Sequence, residues 1–176
     1  MLLVFNFQGE LLRKVLLMRR VILRRRSFPT SRLIELVFEL KINFYFYRKI
    51  EMTENELSYA IIGAALEVHR TLGVGLLESA YEAALLYELE KLGFQVRTQV
   101  YQPTIYKETQ IDKAYRIDMI VEEKVIVENK SVHEIHPTDF LRTKTYLKLS
   151  GIKLGLIINF NSALLKNGIH RVVNNL

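Results

Sequence analysis

The chain of 176 residues contains no cysteine. Disulfides, thiolate-ligated zinc and thiol catalysis are therefore excluded, and the absence fits a reducing compartment, so the expected location is cytoplasmic. No apolar run approaches the roughly 18 residues that a membrane-spanning helix requires, and no membrane partner is expected for residues 52–176. A Gly-rich phosphate loop and the pattern of a nucleophilic triad are both missing. A basic body is missing as well, although the formal net charge is +6. Residues 1–51 hold 11 Lys/Arg against 4 Asp/Glu, and residues 52–176 hold 14 against 15. The high pI thus belongs to the first third and does not by itself make the remainder a nucleic-acid binder.

What is present starts at Met52. The first 51 residues mix apolar and Arg-rich blocks without clean periodicity, and Arg24, Arg25 and Arg26 interrupt any membrane helix. They also make a poor signal peptide, because the charges are spread through them and no A-x-A-like cleavage site follows. "MTENELSYAIIGAALEVHRTLG" then opens with Thr53 and Glu56 at capping-box spacing, followed by a helical apolar pattern. We expect Met52 to be the initiator and residues 1–51 to be a poorly structured or wrongly assigned extension; the alternative is a basic arm that docks on a membrane or on nucleic acid.

The remainder predicts a helix over 53–72 ended by Gly73, and a second over about 76–92 ended by Gly93. "FQVRTQVYQPTIYK" predicts one strand, or two around Pro103. Residues 116–132, "RIDMIVEEKVIVENKSV", predict a hairpin. A helix from about Pro137 to Gly151 and a buried strand, "KLGLIINF", follow. "ALLKNGIHRVVNN" predicts a last short helical or mixed segment. A helix between the hairpin and the next strand implies a parallel crossover, so the fold class is α/β, a mixed sheet flanked by helices.

The hairpin carries charge where a core is expected. Alternation puts Glu128 and Lys130 on one face. A two-residue turn, Glu122–Glu123, sets Asp118 opposite Val127; a three-residue turn, Glu122 to Lys124, sets it opposite Glu128 and brings all three charged groups together. Two carboxylates side by side repel unless a cation joins them, and Mg²⁺ (or Mn²⁺) is a hard cation often held by one or two carboxylates. E-x-K alone is weak: Glu39-Leu40-Lys41 and Glu122-Glu123-Lys124 match it too, and a charge-lined sheet edge is the simpler reading of such a pair.

The ordered motifs are more specific. "GLLESAY", residues 75–81, resembles the signature of the GxxExxY family, which is assigned to the PD-(D/E)XK nuclease superfamily. "RIDMIV", "KVIVENK", "TYLKLSG" and "LGLIINFN" follow in the same order, so the resemblance runs from about Met52 to Val173. It implies a restriction-endonuclease-like core, Asp118 and Glu128 as metal ligands, Lys130 as the catalytic lysine and Glu78 as an additional acidic group. It also implies nucleic acid, with DNA expected, as substrate and partner. Tyr81, Tyr146 and Arg142 are expected to contact substrate; for Tyr81 simple core packing is the competing reading. The chain departs from the family at Asn129, where Leu is common, and at Arg142, where Gln is usual. Asn129 faces away from the site, so that change should touch packing.

His69 and His170 read as packing or capping residues, and His133 and His136 bracket a loop without forming a ligand cluster. Two readings stand beside each other: a Mg²⁺-dependent nuclease, and a catalytically inactive module of the same fold that binds nucleic acid or a protein partner. A homodimer is open under either.

Overall fold

The computed structural model describes residues 52–176; the expectations for residues 1–51 lie outside the described residues. Residues Met52–Leu176 form a unit of their own. Its first helix, α1 (Glu54–Leu72), starts where the capping box predicts: the Glu56 amide donates to Thr53 Oγ1 at 3.2 Å and the Thr53 amide donates to Glu56 Oε2 at 2.9 Å. Gly73, at φ 71°, ends it in a conformation that side-chain-bearing residues rarely adopt. The buried stripe of α1 is Leu57, Ile61, Ala64, Ala65 and Val68, spaced as one helical face. Helix α2 (Glu78–Lys91) adds Tyr81, Leu85 and Leu89.

Five strands form one sheet in sequence order: β1 (Val96–Tyr106), β2 (Thr109–Val121), β3 (Val125–Lys130), β4 (Leu154–Asn159) and β5 (Ile169–Val173). Helix α3 (Pro137–Ser150) crosses from β3 to β4, and these two strands run parallel as the crossover requires; the other neighbours are antiparallel. Met119, Val121, Val125, Val127, Leu156 and Ile158 face α1 and α2. Ile120, Ile126 and Ile157 face the other way, toward Tyr146 and Leu147 of α3. Each of these fully buried side chains contributes about 1.5–3 kcal/mol of transfer free energy. β4 is covered on both faces, which explains its unbroken apolar sequence. A Cβ at Gly155 would meet Thr143 Cγ2 at 2.7 Å, so the missing side chain lets α3 lie close on β4.

The last segment is the mixed one of its two expected forms, a single 3₁₀ turn, Leu165–Asn167, followed by strand β5. β5 satisfies the outer edge of β4, and Val172 packs with Ile157 and Tyr146. The expectation that the first strand of the hairpin starts near residue 116 is corrected: β2 begins at Thr109 and pairs back to Tyr106, so β1 and β2 form an arm whose outer half is largely exposed, while β2 pairs with β3 only over Met119–Val121. β1 is one strand, with a register shift between Gln102 and Thr104 around Pro103. No helix among the described residues is long and apolar enough to cross a membrane.

Candidate functional site

The turn between β2 and β3 has three residues. Val121 pairs with Val125, Ile120 with Ile126 and Met119 with Val127, so the next step of this register sets Asp118 against Glu128. Glu122 and Glu123 both take left-handed φ values, 51° and 54°. Contacts with the β1 end hold them there: the Glu122 amide donates to the Gln95 carbonyl at 2.9 Å, the Gln95 amide donates to Glu122 Oε1 at 2.7 Å, and Arg97 grips Glu123 through two bonds of 2.6 and 2.7 Å.

The β2–β3 pairing stops short of Asp118, and the β1–β2 pairing skips it without losing register. The β1–β2 register steps from Thr98↔Met119 to Val100↔Ile117, and the residue between, Gln99, has φ 52°. The β2–β3 ladder ends at Met119. Carboxylates take up backbone donors at this break: the Asn129 amide donates to Asp118 Oδ2 at 3.0 Å, and the Asp118 amide points at Glu128 Oε1 at 3.5 Å. Both acids are buried, Asp118 at 9% and Glu128 at 3% exposure. The local opening of the sheet is thus what lets two acids sit inside it with partners.

Lys130 and Glu78 complete the group. Lys130 Nζ lies 3.6 Å from Glu128 Oε2 and 3.8 Å from Glu78 Oε1. Glu78 is the first residue of α2, and the Ser131 hydroxyl ties β3 to the approach of that helix by donating to the Leu76 carbonyl at 2.7 Å. Three acids thus face one lysine. Burial pushes the Asp118 carboxyl up, opposed by Lys130. Burial, with the neighbouring Asp118 charge, pushes Glu128 up to about 8. Burial also raises Glu78.

These shifts fix a sign. The metal-free folded chain holds the Asp118–Glu128 proton more tightly than the unfolded chain does. Stability from this pair is therefore full below the ordinary carboxylate range and is lost as pH rises from there toward about 8. Thermal melts of metal-free protein should fall across that window, and Glu128→Gln should flatten the slope; an unchanged slope in that variant would refute the assignment.

A sequence model of the PD-(D/E)XK nuclease superfamily matches residues 55–172. The chain belongs to the PD-(D/E)XK nuclease superfamily. Neither a curated protein nor a solved structure matches it. The five-stranded mixed sheet flanked by helices agrees with the superfamily fold.

Nucleases of this superfamily generally use divalent metals. Among the described residues no three or more His, Asp or Glu side chains form a ready metal cage. The donor set on offer is the pair Asp118 and Glu128, both oxygen donors held by backbone amides, and it fits a hard cation whose remaining positions are filled by water and substrate. With Glu78 included, the ionised group carries two more negative charges than Lys130 offsets, which a divalent cation would neutralise.

The three expected substrate contacts separate. Tyr81 is wholly buried, stacked on Phe160 at 4.6 Å; its hydroxyl donates to the Gly73 carbonyl at 2.8 Å and accepts from the Leu76 amide at 3.2 Å. It braces the loop before Glu78 instead of reaching substrate. Tyr146 is also buried and donates to the Arg116 carbonyl at 3.3 Å, and burial with the Glu128 charge pushes its hydroxyl up to about 12. Arg142 is the exposed one, 46% open, with Nη1 3.5 Å from Asp139 Oδ1, and its charge acts on both Asp118 and Glu128. His69 bonds the Ser162 carbonyl, His136 caps α3 and His170 packs on Phe140.

Arg116, Glu82 and Gln99 were not expected. With Glu78, Thr98 and Asp118 they line a cleft of about 560 Å³ between α2 and the β1–β2 pair. Only Arg116 had a signal: it stands two residues before Asp118 in "RID", hence on the same side of a regular strand.

Proposed function

We propose that this chain is a Mg²⁺- or Mn²⁺-dependent phosphodiesterase that hydrolyses DNA, in the GxxExxY branch of its superfamily. The observation that carries the reading is the three-residue turn, beyond which the Asp118 amide lies 3.5 Å from Glu128 Oε1 and Lys130 Nζ lies 3.6 Å from Glu128 Oε2. The GxxExxY assignment is supported by Gly75, Glu78 and Tyr81: the Glu reaches Lys130 and the Tyr locks the loop that delivers it.

Asp118 and Glu128 would hold the metal, which supplies an acidified water and charge for the phosphoryl transition state. Lys130, 12% exposed and held between Glu78 and Glu128, presents its ammonium where negative charge develops on the phosphate. Arg142 takes a flanking phosphate from the open side. Tyr146 keeps the Arg116 backbone in place below Asp118. Glu78 orients Lys130.

The test is incubation of the full chain with single-stranded, duplex and branched DNA, with Mg²⁺ or Mn²⁺ and with EDTA. Cleavage that EDTA abolishes is expected. Binding without cleavage under every metal would instead make the chain a binding module, and neither binding nor cleavage would leave a protein-interaction role.

A further inference from the structure

The outer half of the β1–β2 arm carries aromatic side chains and cations in contact with one another, and this arrangement continues out of the cleft. Tyr101 pairs with Arg116 across the two strands, so both side chains share a sheet face, and Arg116 lines the cleft beside Asp118. Tyr101 is 50% exposed, and Lys113 Nζ lies 5.1 Å above its ring. At the tip of the arm Tyr106 is 64% exposed, with Lys107 Nζ 5.4 Å from its ring. An exposed aromatic ring beside a cation offers an occupant both a stacking face and a charge. A lone Tyr–Lys contact of this kind is worth little by itself at an exposed position.

We infer that the face carrying Arg116, Tyr101 and Lys113 is a track for one unpaired nucleic-acid strand leading to the carboxylates, and that the substrate class is single-stranded, or duplex with a single-stranded end. This rests on the phosphodiesterase reading for its direction, though not for the binding itself. The chemistry is complementary at each step. Arg116 and Lys113 match successive phosphates, and the open face of Tyr101 matches a base. A duplex keeps its base faces stacked internally, so it has nothing to lay on Tyr101. Gln99 Nε2 donates to both oxygens of Glu82, at 2.8 and 2.9 Å, and holds that side chain against β1.

The other occupant to weigh is a second copy pairing on the outer edge of β1. That edge is interrupted: Pro103 lacks an amide donor, and the register shifts between Gln102 and Thr104. Both features suit an edge that avoids strand addition.

Fluorescence anisotropy in EDTA, with the full chain and labelled 20-mers of deoxythymidine, of uridine and of duplex DNA, tests the track. Either single strand should bind at least tenfold tighter than the duplex, and the two single strands separate DNA from RNA as its source. Tyr101→Ala should weaken single-strand binding by about 5- to 150-fold, the loss expected for one stacked base, and Tyr101→Phe should restore it. Lys113→Ala should lower the salt dependence by about one phosphate contact. Equal affinity for duplex, or indifference to Tyr101→Ala in a folded variant, overturns the track. So does light scattering showing that Tyr101→Ala dissociates an oligomer at unchanged strand affinity, because the face is then an interface between copies. Strand binding that depends on Tyr101, found together with no cleavage under any metal, upholds the track and defeats the hydrolytic reading. Cleavage with no dependence on Tyr101 does the reverse.

Discussion

Single replacement of Asp118, Glu128 or Lys130 by alanine should lower metal-dependent DNA cleavage by about 10²–10³-fold or more, the range seen when one group that stabilises transition-state charge is removed. The stability of the same variants should move in different directions. Asp118 and Glu128 are buried next to each other; burial raises both pKa values, and the Asp118 charge makes an ionised Glu128 harder still to hold. Asp118→Asn and Glu128→Gln keep an acceptor for the Asn129 and Asp118 amides while removing a charge. At pH 8 without metal, these variants should melt above the parent chain as they lose cleavage. Lys130→Ala should melt below it, because the remaining acids lose their ammonium partner. A purely structural ion-pair cluster gives a different pattern: every charge removal lowers the melting temperature and none selectively abolishes cleavage. Melting curves beside gel-based cleavage at pH 8 distinguish the two, and circular dichroism confirms that each variant is folded. A gain in activity is expected for none of them, since a site that buries two acids side by side has given up stability for its function.

Asn129→Leu should stabilise the protein by about 1–3 kcal/mol, the desolvation cost usually assigned to an unpaired buried polar group. Asn129 is fully buried, and among the described residues neither side-chain atom, Nδ2 nor Oδ1, has a hydrogen-bond partner. Its strand neighbour on β4 is Ile158, a member of the core under α1 and α2. Leucine has the same count of side-chain heavy atoms branched at the same carbon, so it exchanges two polar atoms for two methyls with little change of shape. The backbone roles of Asn129 survive: its amide still reaches Asp118 and its carbonyl still accepts from Lys130 at 3.1 Å. Denaturant titration should show a raised midpoint at unchanged slope, and cleavage should stay within about twofold. A lowered midpoint would mean that the carboxamide has a partner such as an internal water, or that methyls overfill the space.

Much of the site can be read from residue types and spacing. "RID", then ten residues on "ENK", states that an acid and an acid–lysine pair stand on neighbouring strands. Strand alternation then requires Glu128 and Lys130 to share a side. The T-x-x-E start of α1, the glycine stop and the apolar β4 are local or near-local features, and each was legible for that reason. The last strand was not. "IHRVV" is too short and too mixed to declare its period, and it becomes a strand because β4 presents an edge that only the folded sheet supplies.

Tyrosines show the same limit from another side. Tyr81 and Tyr146 both stand at motif positions, yet both are buried and their hydroxyls are spent on the backbone. Sequence placed Tyr81 on the helix face of Glu78, which is correct for a helix three residues on, but a helix face can look into a core at one turn and into a cleft at the next. Only packing against Phe160 separates those cases.

Sequence by itself thus determined the inventory: a helix-flanked mixed sheet with two acids and a lysine on adjoining strands, and an acid at the head of an early helix. Tertiary structure decided whether they meet. The residues 122–124 admit a two- or a three-residue turn, and alternation turns that one-residue difference into opposite faces of the sheet. Gln95 and Arg97, 27 and 26 residues before their partners in the turn, settle it by bonding Glu122 and Glu123 in left-handed conformations. Those contacts exist only once β1 lies beside β2, which is why no reading of the hairpin alone could choose between the registers.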